Sequence, residues 1–210
     1  MFRQRIRLCY SVGDDKRFLS HHDVMRLWLR ALRRSDLPLR MTEGFHVRPR
    51  VSFAMARGVG IASESEWLEM ELSDWVNPDT AQKRLASQLP PGIVIRSAEI
   101  VAPGDRAVVR QIVYTITPDG IPQDIERRIS RLLDRPKVIV ERGPQGKRRC
   151  VDIRPRLAAL QAQGNRLQIV ADCHSDGTLK PEEVLAQLGF TPEQIAGSLV
   201  VRTESRLDPA

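Results

Sequence analysis

The sequence predicts an α+β fold made of two tandem copies of one unit. Three observations carry that expectation. The first half reads strand, helix, strand, strand, helix, strand; the second half repeats that order more loosely; and Ala102-Pro103-Gly104-Asp105 punctuates the chain between them. That order is the βαββαβ, or ferredoxin-like, unit, so the expected domains are 1–103 and 104–210. A chain of 210 residues suits one large domain or two small ones, and 41% apolar with 28% charged residues is ordinary for a globular protein with a sizeable core.

Each element has its own signal. Ile6, Leu8, Tyr10 and Val12 alternate with Arg7, Cys9 and Ser11, the pattern of a half-buried strand. A polar turn, Gly13 to Arg17, follows. Ser20 and Asp23 then form a capping box, with Leu19 and Val24 placed as a hydrophobic staple. The helix runs from His21 to about Ser35, with Met25, Trp28, Leu29 and Leu32 on one face and Arg26, Arg30, Arg33 and Arg34 on the other. Pro38 ends it. After a loop from Arg40 to Arg50, Val51–Met55 and Trp67–Leu72 read as strands. A helix starts at Asn77-Pro78 and stops at Pro90-Pro91-Gly92, and Ile93–Val101 is a strand. In the second half, Val108–Thr117 alternates as a strand and Pro122–Asp134 as an amphipathic helix. Lys137–Arg142 and Arg149–Ile153 flank a Gly143-Pro144-Gln145-Gly146 turn. Arg166–Cys173 is a strand, Lys180–Leu188 a helix capped from Thr178 or Leu179, and Ser198–Thr203 the last strand.

Charge is the strongest functional signal. Residues 1–62 hold 13 Lys/Arg against 5 Asp/Glu, while the remaining residues hold 20 against 21. A basic field confined to one third of the chain implies an anionic partner there, and RNA is the first expectation. Between Asp23 and Asp36 the arginine face meets no acidic residue, so i,i+4 pairing does not account for it. The loop Glu43-Gly44-Phe45-His46-Val47-Arg48-Pro49-Arg50 offers His46, Arg48 and Arg50 from a segment that glycine lets turn and proline stiffens. His21 and His22 open the helix, where free N–H groups favour an anion. Lys147-Arg148-Arg149 is a second, smaller basic cluster. The expected nucleic-acid-binding set is His21, Arg26, Arg30, Arg33, Arg34, Gly44, His46, Arg48 and Arg50.

Phe18-Leu19-Ser20-His21-His22-Asp23, Arg26, Arg30-Ala31-Leu32-Arg33-Arg34, Leu37-Pro38, Glu43 through Phe53 and Gly58 through Ser63 resemble the bacterial radical-SAM-linked protein family. The resemblance spans the first hundred residues. It implies a radical-SAM partner protein, often encoded near a ribonuclease of the E/G type, and brings no known reaction. Tandem ferredoxin-like domains with a basic loop also look like the CRISPR repeat-processing endoribonucleases, a likeness of architecture alone.

Other chemistry finds no support in the sequence. P-loop, GxGxxG and GxSxG motifs are absent, as is the CxxxCxxC of radical-SAM enzymes, so no cofactor is expected. Cys9, Cys150 and Cys173 are too far apart for a disulfide framework or a cysteine zinc site. His21 and His22 at successive helical positions point to different faces, which argues against a shared metal with Asp23 and His46. No apolar run is long enough to span a membrane, and the charged start Met1-Phe2-Arg3-Gln4-Arg5 does not suit a signal peptide, so a cytoplasmic protein is expected. The leading expectation is a non-catalytic, RNA-binding accessory protein that works with a radical-SAM partner. Its rivals are a metal-independent endoribonuclease using His21 or His46 as general base, and an adaptor that binds only protein or a small anionic metabolite.

Overall fold

The computed structural model describes residues 4–144 and 147–208, apart from the side chain of Asp14. Met1–Arg3 and the Gln145-Gly146 part of the expected hairpin turn lie outside the described residues. Strands and helices mix throughout: ten strands, five α-helices and two short 3-10 turns among the described residues. The chain divides into two compact units, one running to Val109 and taking in the segment from Leu207, the other Arg110–Arg206.

The first unit comprises β1 (Gln4–Val12), α1 (His21–Arg34), β2 (Val51–Phe53), β3 (Ala62–Leu72), α2 (Pro78–Ala86) and β4 (Ile93–Val101). Its strands lie in the order β4-β1-β3-β2, with β1 antiparallel to β3 and β4 and β2 antiparallel to β3. Period-two alternation sorts the side chains of β1 and β3 into two sets. Ile6, Leu8 and Tyr10 join Leu68, Met70 and Leu72 in a core with Val24, Trp28 and Leu32 of α1 and Ala81 and Leu85 of α2. Each such side chain removed from water contributes about 1.5–3 kcal/mol before entropy is charged against it. Trp28 meets Tyr10 edge-on, with ring centroids 4.8 Å apart.

The opposite set is ionic. The register places Arg7 against Glu69 and Arg5 against Glu71. Arg7 donates from Nε at 3.0 Å and Nη2 at 2.9 Å to one Glu69 oxygen, and Nη2 also reaches Asp105 at 3.0 Å. Ala107 N–H donates to the same Glu69 oxygen at 2.9 Å. Residues 105–107 are therefore tied to β1 and β3. These bonds keep residues 105–107 with the first unit, which runs to Val109.

The second unit comprises β5 (Val109–Thr117), α3 (Ile125–Leu133), β6 (Ile139–Arg142), β7 (Arg149–Asp152), β8 (Leu157–Gln163), β9 (Arg166–Asp172), α4 (Pro181–Gln187), α5 (Pro192–Gly197) and β10 (Leu199–Leu207). Its strand order is β10-β5-β9-β8, and β6-β7 forms a separate two-stranded hairpin. Arg142 in that hairpin holds Glu183 of α4 through Nε at 2.6 Å and Nη2 at 2.7 Å.

Several elements differ from the sequence expectation. A 3-10 turn, Asp14–Phe18, occupies the polar turn, and α4 is capped from Lys180. β3 begins at Ala62 instead of Trp67, because its first residues are polar yet Ser63 and Glu66 are buried. β8 was not expected at all. A bulge between Leu157 and Ala159 lets Leu157 and Leu160, three residues apart, both face inward, which destroys the period-two signal. α5 has six residues, none of them buried, and it is marked by its start alone: the Thr191–Gln194 capping box, Pro192 and Glu193.

Glu69→Ala removes the carboxylate that compensates buried Arg7, and breaking such a pair costs about 3–5 kcal/mol. The expected loss lies at the lower end, since Asp105 still faces Arg7, and Glu69→Gln costs less. Urea unfolding at neutral pH measures both.

Candidate functional site

The first turn of α1 is built by Ser20. Its Oγ accepts from Asp23 N–H at 3.2 Å and donates to the Asp23 carboxylate at 2.6 Å. That hydrogen bond, with Arg26 nearby, holds the Asp23 carboxyl below its ordinary range. Beyond the cap, Val24, Trp28, Ala31 and Leu32 turn into the core. At 100° per residue the row His21, Met25, Leu29 runs along one edge of that buried stripe, and the row His22, Arg26, Arg33 borders it on the solvent side. Arg26 contacts Asp23 at 3.6 Å, and Arg34 donates to the Gln88 carbonyl at 2.9 Å. Arg30 and Arg33 are exposed, with no ion pair among the described residues.

The segment after α1 returns to β3 through a narrow hairpin. Arg40 N–H donates to the Glu71 carbonyl and Arg50 N–H to the Arg40 carbonyl, both at 2.8 Å. Thr42 closes the loop: its N–H reaches the Arg48 carbonyl at 2.8 Å, and its Oγ1 accepts from Arg48 N–H at 3.1 Å. Gly44 sits at φ 105°, a left-handed conformation that favours glycine. Its part is therefore to turn the chain. Phe45 at the tip is fully exposed, and Val47 and His46 are exposed beside it.

A groove of about 530 Å³ runs along β2. Among the described residues β2 pairs with β3 alone, along one of its edges. Glu71 N–H bonds the Arg50 carbonyl and Ala54 N–H bonds the Trp67 carbonyl, so Val51 and Phe53 occupy the alternate, non-bonded register positions. Their N–H and C=O groups point to the free edge. Alternation also divides the walls. Met25 and Leu29 of α1 line the groove with Val51 and Phe53, while Ser52, Glu69 and Arg50 belong to the polar side with Arg106. The two carboxylates there are already engaged. Glu69 is held by Arg7; Glu71 is held by Arg5 and Arg40, each at 2.9 Å. Burial alone pushes the Glu71 carboxyl up, and the two guanidiniums outweigh it and hold the carboxyl below its ordinary range. Arg48, Arg50 and Arg106 have no ion pair among the described residues, and Arg50 Nε is buried with no hydrogen-bond partner.

Of the residues singled out from sequence, Arg48 and Arg50 line this groove. Arg26 and Arg33 flank it on α1, whereas Arg34 is occupied at the end of α2. His46 stays on the loop tip. His21 reaches the groove wall indirectly: its ring meets Phe53 edge-on at 5.8 Å and lies 6.3 Å from His22. Partial burial, then the neighbouring His22 charge, lower the His21 pKa. Sequence reading missed Met25 and Leu29 as walls, having placed them on one helix face with Trp28 and Leu32, and missed Arg5 and Arg106. The i,i+4 spacing of Met25 and Leu29 off the centre of the buried stripe was the only available signal.

Fold and site together define a mixed helix-and-sheet protein with a half-apolar, arginine-rimmed groove at a sheet edge. The family described as "Uncharacterized protein conserved in bacteria" (DUF2344) matches residues 5–181, and the chain belongs to that family. No curated protein matches. Among solved structures, an unknown protein from Galdieria sulphuraria is 13% identical over 99% of this chain and 98% of its own, with a TM-score of 0.29. A candidate glycine cleavage system transcriptional repressor is 13% identical over 91% of this chain and 86% of its own, at 0.24.

Two outcomes follow from the α1 geometry. Ser20→Ala lowers stability by about 0.5–2 kcal/mol through the lost cap, read as a fall in melting temperature. For His21, whose folded pKa lies below the unfolded value of about 6.5, stability is full above that value and is lost as pH falls through the folded one. His21→Gln therefore flattens the melting-temperature profile between about pH 7 and 5. An unchanged slope overturns the assignment.

Proposed function

We propose that this protein is a cytoplasmic, RNA-binding accessory protein that serves a radical-SAM partner in RNA modification or processing, with each unit a ferredoxin-like domain. The observation that carries RNA binding is the set of arginines around the β2 groove: Arg48, Arg50 and Arg106 line it, and Arg30 and Arg33 lie on the neighbouring helix face, without ion pairs among the described residues. Guanidinium groups present a fork that matches phosphate oxygens, and positive groups kept apart from carboxylates are what a polyanion needs. The strand orders β4-β1-β3-β2 and β10-β5-β9-β8 support the ferredoxin-like reading of both units. The radical-SAM partner rests on the resemblance across residues 18–63. Among the described residues no helix is long and apolar enough to cross a membrane.

The nuclease alternative gains nothing from the site. His21 packs its ring on Phe53, and His46 stands exposed on a loop tip with no side-chain hydrogen bond among the described residues to orient it as a base.

Binding to bulk RNA is expected to fall steeply with salt, with a log-log slope of about −2 for three phosphate contacts to a single strand. Arg30→Glu with Arg33→Glu, both on exposed positions, weakens binding without changing the melting temperature. Filter binding across a salt series checks this, and affinity that stays flat overturns it.

A further inference from the structure

We propose that the groove along the free edge of β2 holds one unpaired nucleotide of an RNA strand, its base against β2 and α1 and its phosphates on Arg48, Arg50 and Arg106. This deepens the RNA reading above and rests on it. A volume of about 530 Å³ lies within the range of small-molecule sites and is too small for a duplex. The recognised class is therefore single-stranded.

The walls supply what a nucleotide presents. Met25, Leu29 and Phe53 give an apolar surface for the face of a base, where a thioether and an aromatic ring are good partners. The outward N–H and C=O groups of Val51 and Phe53 give alternating donors and acceptors, matching the mixed donor and acceptor pattern of a base edge. The polar rim gives cations to the phosphates. Glu69 and Glu71 do not oppose an anion, because Arg7, Arg5 and Arg40 neutralise them.

An extended peptide adding as a strand is the other occupant for a free edge. The edge is poorly suited to it. β2 has only three residues, so two residues face outward, and Pro49 just before it has no N–H to donate. A peptide gains few ladder bonds there, whereas a single base edge needs only these.

The test compares binding of a single-stranded RNA about ten nucleotides long with a blunt duplex of equal length, using wild type and Val108→Trp. Val108 is exposed at the groove wall, so a tryptophan there fills the groove without touching the core. Wild type is expected to prefer the single strand by about tenfold, and Val108→Trp to erase that preference while leaving the weaker, salt-sensitive duplex binding. The second variant, Leu29→Gln, is expected to act in the same direction, and melting curves certify both folds. Single strands carrying 4-thiouridine are expected to crosslink within residues 25–29 or 51–54. Equal binding of single strand and duplex, unaffected by either variant, overturns this proposal and leaves the RNA reading standing. Absence of binding to either RNA at low salt overturns both. Groove-dependent binding of an acidic extended peptide, with no crosslink to RNA, overturns the nucleotide and assigns the groove to a peptide strand.

Discussion

Glu69 is the group on which the first unit depends. One of its oxygens receives two bonds from Arg7 and one from Ala107 N–H; the other accepts from Ser52 Oγ at 3.4 Å. Those partners come from β1, from the segment after β4, and from β2. A single buried carboxylate thus holds the β1–β3 register, fastens the chain that leaves the unit, and meets the short edge strand. Charge burial is costly unless every lone pair is used, and here the oxygens are used by groups whose positions the fold requires. Glu71 repeats the arrangement two residues on with Arg5 and Arg40, which seats the start of the 40–50 hairpin. The groove has its shape because these two carboxylates fix both of its banks.

Much of the first unit was legible because its elements carry clean periods. Ile6 through Val12, the Ser20 cap with its amphipathic helix, and Trp67 through Leu72 each show one dominant pattern, and each forms the element that pattern implies. Legibility fails where local pattern and tertiary environment disagree. The Ala62–Glu66 stretch has no apolar alternation, since Ser63 and Glu66 are buried as polar groups. In the second unit, the bulge in β8 hides a strand whose inward residues are three apart. The Lys137–Ile153 hairpin shows a clear turn signal, but nothing local says that it stands outside the main strand order.

The candidate site was half legible for a related reason. Arg48 and Arg50 stood out because a stiffened loop with unpaired cations has little else to do. Arg5 and Arg106, separated by about half the chain, enter the same groove through strand pairing, which no local spacing encodes. Gly44 was grouped with the binding residues, and the structure places it at φ 105°, where the loop turns. Met25 and Leu29 show the limit from the other side: a helix face reads as core whether it meets another element or an open groove.

The charge balance of the first 62 residues needs the structure to be interpreted. Thirteen basic residues against five acidic ones suggest a field spread over the whole third. Arg5, Arg7 and Arg40 are, however, neutralised by Glu69, Glu71 and Asp105, all of which lie beyond that window in sequence. Arg57 is buried and donates to the carbonyls of Arg17, Gly58 and Ile61, so its guanidinium braces a loop and is not presented to a partner. Arg34 is occupied at Gln88 and Arg26 leans on Asp23. Among the described residues the subtraction leaves Lys16 and Arg17 on the 3-10 turn, Arg48 and Arg50 at the rim of the groove, and Arg30 and Arg33 on the exposed face of the helix that forms its wall. Folding therefore spends the excess charge selectively, consuming it where strands must be held in register and leaving it where a free sheet edge and an apolar wall meet. That selectivity, more than the net charge itself, is the ground for proposing an anion at this groove.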